Sequence, residues 1–174
     1  MTLAIWIVLA ACAIAVATDL RFRRIPNALS IGLAVAGFAL HATQGWIAMS
    51  IAVTAGVIVM LLGFLAFSMG WLGGGDVKLA AAASVALGFP DAFPFLIYTA
   101  VGGGLLAIVV ALVSGRFGTV MRSVGLILRP FAFKGTVAVA PRQPMMLPYA
   151  IALAGGAIAV ALSHTLAPAL RLPL

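Results

Sequence analysis

Residues 46–78 read WIAMSIAVTAGVIVMLLGFLAFSMGWLGGGDVK. No Asp, Glu, Lys or Arg interrupts the run from Trp46 to Met69. A helix rises about 1.5 Å per residue, so this run can cross a hydrocarbon core of about 30 Å with some tilt. The three glycines that follow then deliver Asp76 and Lys78 to the opening of the next apolar stretch. A carboxylate there is costly beside lipid and is usually functional.

The rest of the composition agrees with a lipid environment. Of 174 residues, 65% are hydrophobic and 7% charged, with a mean hydropathy of +1.28. A soluble domain has about a quarter charged residues, so this surface cannot be wetted throughout. The chain is predicted to be an all-α integral membrane protein, a single polytopic domain over residues 1–174. Its net charge of +7 comes without a basic run interleaved with exposed aromatics, so no nucleic-acid partner is expected. In a membrane chain such an excess records topology and contact with lipid. Cys12 is the only cysteine, which excludes an intrachain disulfide and a thiolate metal cluster. His41 and His164 lack neighbouring ligands in the sequence, and no metal or cofactor is expected.

Working outward from residues 46–78, six spans are predicted. Leu3–Thr18 is apolar and closes on Asp19, and no basic residue precedes it as in a secretory signal. After Leu20–Asn27 come Ala28–Thr43 and Trp46–Met69. Val77–Phe89 is short: either it is not a span, or, as expected here, it begins below the surface with the glycine loop dipping in. The turn Pro90–Pro94 precedes Phe95–Ser114, and Met145–Leu166 is the last span. Between them, residues 115–144 form a basic cytoplasmic or interfacial segment, in which Val120–Arg129 could lie as an amphipathic helix on the membrane. With the Asp19 loop in the cytoplasm, every Lys and Arg except Arg171 faces inward, as the positive-inside rule requires. Both termini then lie outside (periplasmic), and Asp19 and Asp76 share the cytoplasmic face. Asp91 falls on the outer side as an ordinary turn residue.

Asp19, Asp76 and Asp91 are the chain's three acids. Two carboxylates held close together cannot both ionise: one keeps a proton while the other acts as a base. Such a pair can activate water against a peptide carbonyl, which is aspartic-protease chemistry. Gly73 and Gly75 would give an extended substrate clearance. Asp76 opens a helix, where the dipole favours the charged form, and so is expected to be the more acidic partner. The blander readings are a helix-end Asp19 paired with Arg23, an Asp76 that merely caps its helix, a capping Asn27 and a surface-anchoring Lys78. Asn27 could also orient Asp19, and Lys78 could tune the site.

At these residues the chain resembles the type IV prepilin peptidases. Gly73-Gly74-Gly75-Asp76 fits the GxGD pattern of intramembrane aspartyl proteases. Asp19 closing the first span, Ile25-Pro26-Asn27, Val77-Lys78 and the Pro148-Tyr149 that opens the last span complete the likeness. It is similar to the small peptidases of tight-adherence (Flp-type) pilus systems. The resemblance implies Asp19 and Asp76 as the catalytic pair, with Gly73, Gly75, Lys78 and Asn27 supporting the site. It implies a prepilin partner with a short basic leader, cut after a glycine at the cytoplasmic face of the inner membrane, and with a lipid-embedded stem. Larger members carry a methylating region between the first two spans, often with Cys-x-x-Cys motifs. Here only Leu20–Asn27 stands there, which implies peptidase activity alone. The alternatives are a non-catalytic scaffold of a pilus or secretion assembly, and a small proton- or cation-coupled transporter. A transporter would want a midplane acid or an internal repeat, and the sequence has neither.

Overall fold

Asp19 lies inside the first helix, one turn before its end. The structure, a computed structural model, describes residues 2–115 and 149–165. In it α1 runs over Leu3–Phe22 and stops at Arg23, whose left-handed backbone (φ 50°) turns its N–H back to the Asp19 carbonyl at 2.8 Å. Pro26 sets an extended residue ahead of α2, Asn27–Ala42. Next come α3, Trp46–Ser68, and α4, Gly74–Leu87. Then follow α5, Ala92–Val113, and α6, Tyr149–Thr165. Pro94 falls in the first turn of α5, where its missing N–H costs no helical bond.

All six described helices are apolar or alanine-rich, but they differ in length. Only α1, α3 and α5 are long and apolar enough to cross a membrane, with hydropathies of 2.3 to 2.4. α2 and α6 have 16 and 17 residues, and α4 has 14. At about 1.5 Å per residue α4 extends about 21 Å, so three of the six expected spans have spanning length among the described residues. α4 also begins earlier than its apolar run suggested, because Gly74 and Gly75 belong to its first turn. The expected glycine loop shrinks to Gly73.

The chain divides into two compact units, Met1–Gly103 with Pro148–Leu174, and Gly104–Leu147. Of the second, only the last turns of α5 and residues 114–115 are described. The basic segment at 115–144, with its expected amphipathic helix, lies almost wholly outside the described residues.

In the first unit α4 is the central helix, packed against α1, α2, α3 and α6. Its small side chains Ala81, Ala82, Ala83, Ser84 and Ala86 are buried, and small residues let helices approach closely where lipid supplies no hydrophobic drive. Glycines complete the fit. A Cβ on Gly37 of α2 would lie 2.5 Å from the Ala86 Cα, and one on Gly63 of α3 2.6 Å from Val77. At the end of the bundle away from Asp19, the buried His41 ring donates from Nε2 to the Ala86 carbonyl at 3.2 Å, satisfying one of the orphan carbonyls that close a helix. Asp91, expected to be a plain turn residue, accepts from His164 Nε2 at 2.8 Å and so ties the start of α5 to the end of α6.

The close α2–α4 contact gives a stability test. Gly37→Ala is expected to cost about 1–3 kcal/mol of overpacking, because the obstructing atoms are α4 backbone. Gly32→Ala, on the same helix with nothing within 4 Å of the added carbon, should be neutral or stabilising. Thermal unfolding of both variants in detergent checks this, and equal midpoints would contradict the packing.

Candidate functional site

Gly73 precedes α4 with ordinary extended dihedrals (φ −77°, ψ 145°). Asp76, three residues on, folds its carboxylate back to accept from the backbone N–H of Gly73 and from its own N–H. This is the acidic half of a capping box. The glycine is needed for room: a Cβ on Gly73 would stand 2.7 Å from Asp76 Oδ2. Gly75 serves a second contact, with Ile25 Cβ 3.2 Å from where its own Cβ would be. That contact seats the α1–α2 turn on the first turn of α4.

Through this seating the last turn of α1 comes near Asp76. Asp19, half-buried, lies close enough for its charge to act on the Asp76 carboxyl. Asp76 is not in one of the three long helices. Its pKa is raised to about 6, first by burial and second by the negative charge of Asp19, against the two backbone N–H groups that lower it. The expectation that the helix start keeps Asp76 acidic weighed the wrong effect. The helix-start N–H groups do pull the pKa down, but desolvation outweighs them.

The supporting residues fall at the same end. Lys78 Nζ donates to Asn27 Oδ1 at 3.0 Å, joining the starts of α2 and α4. Asn27 is therefore not the cap of α2. Pro26 occupies that position, and no side chain caps the helix. Among the described residues no Lys or Arg pairs with an acid, so the Asp19–Arg23 pair of the blander reading does not form, and Arg21 lies over the Phe22 ring at 5.5 Å.

Two residues quoted in the sequence likeness but given no role there stand beside the site. Ile25 seats on Gly75, and Tyr149 opens α6 near enough to Asp76 for the two to interact. Its ring packs against Gly103, where a Cβ would come 2.6 Å from Cε2. Ile25-Pro26-Asn27 and Pro148-Tyr149 belong to the family likeness, but nothing local in the sequence points to the contacts these two residues make.

The raised pKa of Asp76 has a stability consequence. Its folded value of about 6 exceeds the model value of 3.8, so the folded state holds the extra proton between those limits. Stability from this group is therefore full below about pH 4 and lost as pH rises through 6. Asp76→Asn should then unfold later than wild type at pH 8, by roughly 2–4 °C for a gain of ~1 kcal/mol after solvent screening. The advantage should vanish near pH 4. A variant less stable at pH 8 than at pH 4, relative to wild type, would contradict the burial of an ionised Asp76.

Fold and sequence together define a class: apolar helical proteins with three described helices long and apolar enough to cross a membrane, and with Asp76 near enough to Asp19 to feel its charge. More particularly, the chain belongs to the type IV leader peptidase family, which it matches over residues 6–108, more than half its length. The matched stretch carries Asp19, Asn27 and Gly73 through Lys78. The protein is thus of a peptidase family, with a prepilin-type substrate implied. Comparison with curated proteins and with solved structures finds no match.

Proposed function

We propose that the protein is an aspartic endopeptidase that removes the basic leader of Flp-type prepilins at the cytoplasmic face of the inner membrane. The observation that carries this reading is the action of the Asp19 charge on an Asp76 carboxyl seated in the room left by Gly73. Two carboxylates that work as a catalytic pair share one proton. The raised Asp76 supports giving that proton to Asp76, the reverse of the sequence expectation, and leaves Asp19 as the base.

Asp19 takes a proton from water as the oxygen attacks the scissile carbonyl carbon. Asp76 gives its proton to the carbonyl oxygen, forming a neutral tetrahedral diol. On collapse the carbonyl re-forms and its hydroxyl proton returns to Asp76. The leaving nitrogen takes the proton held by Asp19 and departs as the new amino terminus, so the pair ends as it began. Lys78, held by Asn27, fixes the registry of α2 against α4 and with it the distance from the α1–α2 turn to Asp76. The topology that suits this chemistry has six membrane-embedded helices, with α4 short so that Asp76 stays at the interface, both termini outside, and the basic residues inward.

The connection from Phe22 to Asn27 leaves no room for a methylating region, so the released pilin should carry a free, unmethylated amino terminus. Mass spectrometry of a Flp-type prepilin incubated with the purified protein tests both points. A separated leader and an unmodified new terminus are expected. An intact prepilin would sink the peptidase reading in favour of a scaffold, and a terminus methylated in the presence of a methyl donor would sink the restriction to cleavage.

A further inference from the structure

Tyr149 is the first residue of α6, and the fold sets it at the end of the bundle that holds the aspartates. The far end of α6 is tied by His164 to Asp91, which follows the end of α4, so α6 begins where α4 begins. Within the first unit α6 packs on α1 and on α4, the two helices that carry Asp19 and Asp76. Tyr149 stands near enough to Asp76 for the two to interact. No hydrogen bond joins them, and among the described residues the Tyr149 hydroxyl has no hydrogen-bond partner.

The ring is seated by a missing side chain. A Cβ at the buried Gly103 of α5 would lie 2.6 Å from Cε2 and 3.1 Å from both Cζ and the hydroxyl oxygen. The hydroxyl edge of the half-buried ring therefore rests against α5, and a larger residue at 103 would displace it. Tyrosine also anchors helices at a membrane interface, but an anchor turns its phenol outward to the headgroups. Here the phenol is packed between helices at the end where Asp76 lies, and a donor locked by packing loses little entropy on binding.

The chemistry leaves a place for such a donor. A carbonyl oxygen has two lone pairs, and in the cleavage proposed above Asp76 serves one of them. The second calls for a neutral donor that stays put as charge develops on the oxygen. Lys78 is engaged by Asn27, and Asp19 acts as the base. Tyr149 has a donor, a fixed ring and the right end of the bundle.

We propose that the Tyr149 hydroxyl, seated against Gly103, donates a hydrogen bond to the scissile carbonyl oxygen beside Asp76 and steadies the charge that develops there. The proposal rests on the peptidase reading above. Tyr149 keeps its own proton throughout, while Asp76 gives and takes back the shared one.

The test is steady-state cleavage of a prepilin by wild type, Tyr149→Phe, Gly103→Ala, their double variant and Tyr98→Phe. Tyr149→Phe keeps the packed ring and loses only the hydroxyl. Its kcat should fall about tenfold, the scale of one hydrogen bond to an uncharged group, with KM and the thermal midpoint near wild type. Tyr98→Phe removes the chain's other phenol and should cut at the wild-type rate. Gly103→Ala should lower kcat by pushing the ring aside, and should lower it no further once the hydroxyl is gone. A wild-type kcat for Tyr149→Phe, or a change confined to KM or to the thermal midpoint, overturns the assignment and leaves the peptidase reading standing. So do losses that multiply in the double variant, or a fall in Tyr98→Phe equal to that in Tyr149→Phe. Wild type that leaves the prepilin uncut sinks the peptidase reading, and the role of Tyr149 with it.

Discussion

Asp76→Asn should reduce leader removal by about 10³-fold or more, the scale on which enzymes lose a catalytic group that acts as part of a unit. The substitution is nearly isosteric, and its amide oxygen can still accept from the Gly73 N–H that holds the native carboxylate. What it removes is the proton shuttle. Asparagine can neither hand a proton to the carbonyl oxygen nor take it back, and the charge coupling with Asp19 is gone. The variant should insert, accumulate and resist heat at least as well as wild type at neutral pH, because an ionisable group raised by burial has been replaced by a neutral one. Loss of activity joined to unchanged or greater stability separates a catalytic Asp76 from one that merely caps its helix, whose loss would weaken α4. Comparing prepilin cleavage with thermal unfolding of the same preparation checks both halves.

Gly73→Ala should come next in effect, at about 100-fold in kcat/KM, the loss that a misplacement of about 1 Å can cause. The backbone at Gly73 (φ −77°, ψ 145°) suits alanine, so nothing is strained in the chain itself. The obstruction is the Asp76 carboxylate, whose Oδ2 would lie 2.7 Å from the new carbon. Asp76 is short, and moving its carboxylate off this contact would break its bond to the Gly73 N–H and shift it relative to Asp19. Gly74→Ala is the informative neighbour. Its nearest contact is the Phe67 ring at 3.5 Å, ordinary van der Waals distance, so cleavage should stay near wild type. If Gly73→Ala and Gly74→Ala behave alike, the glycines serve helix flexibility and not the seating of the carboxylate.

Much of this was legible in the linear sequence, and the parts that were not share a cause. Helix ends at Trp46, Ala42 and Thr165 fall within a residue or two of what the apolar runs and the polar break at His41–Gly45 indicate. Gly73 through Lys78 announced itself because a charge beside lipid needs a reason. The misreadings concern balances and long-range partners. Gly74 and Gly75 read as loop, yet they form the first turn of α4 because packing against Phe67 and Ile25 overrides glycine's weak helix propensity. The helix-start effect on Asp76 could be read from position, whereas the opposing burial could not. Asn27 looked like a cap, but its oxygen serves Lys78, 51 residues away, and Asp91 bonds His164, 73 residues away. No periodicity encodes such pairings; they follow from which helices the small residues of α4 allow to meet.

The most direct test of the central claim is prepilin cleavage by wild type, Asp19→Asn, Asp76→Asn and the double variant at matched membrane levels. If the aspartates act as one proton-sharing unit, each single variant falls to background and the double variant is no slower than either. A wild-type rate in either single variant, or losses that simply multiply in the double, would mean that the two carboxylates do not act together.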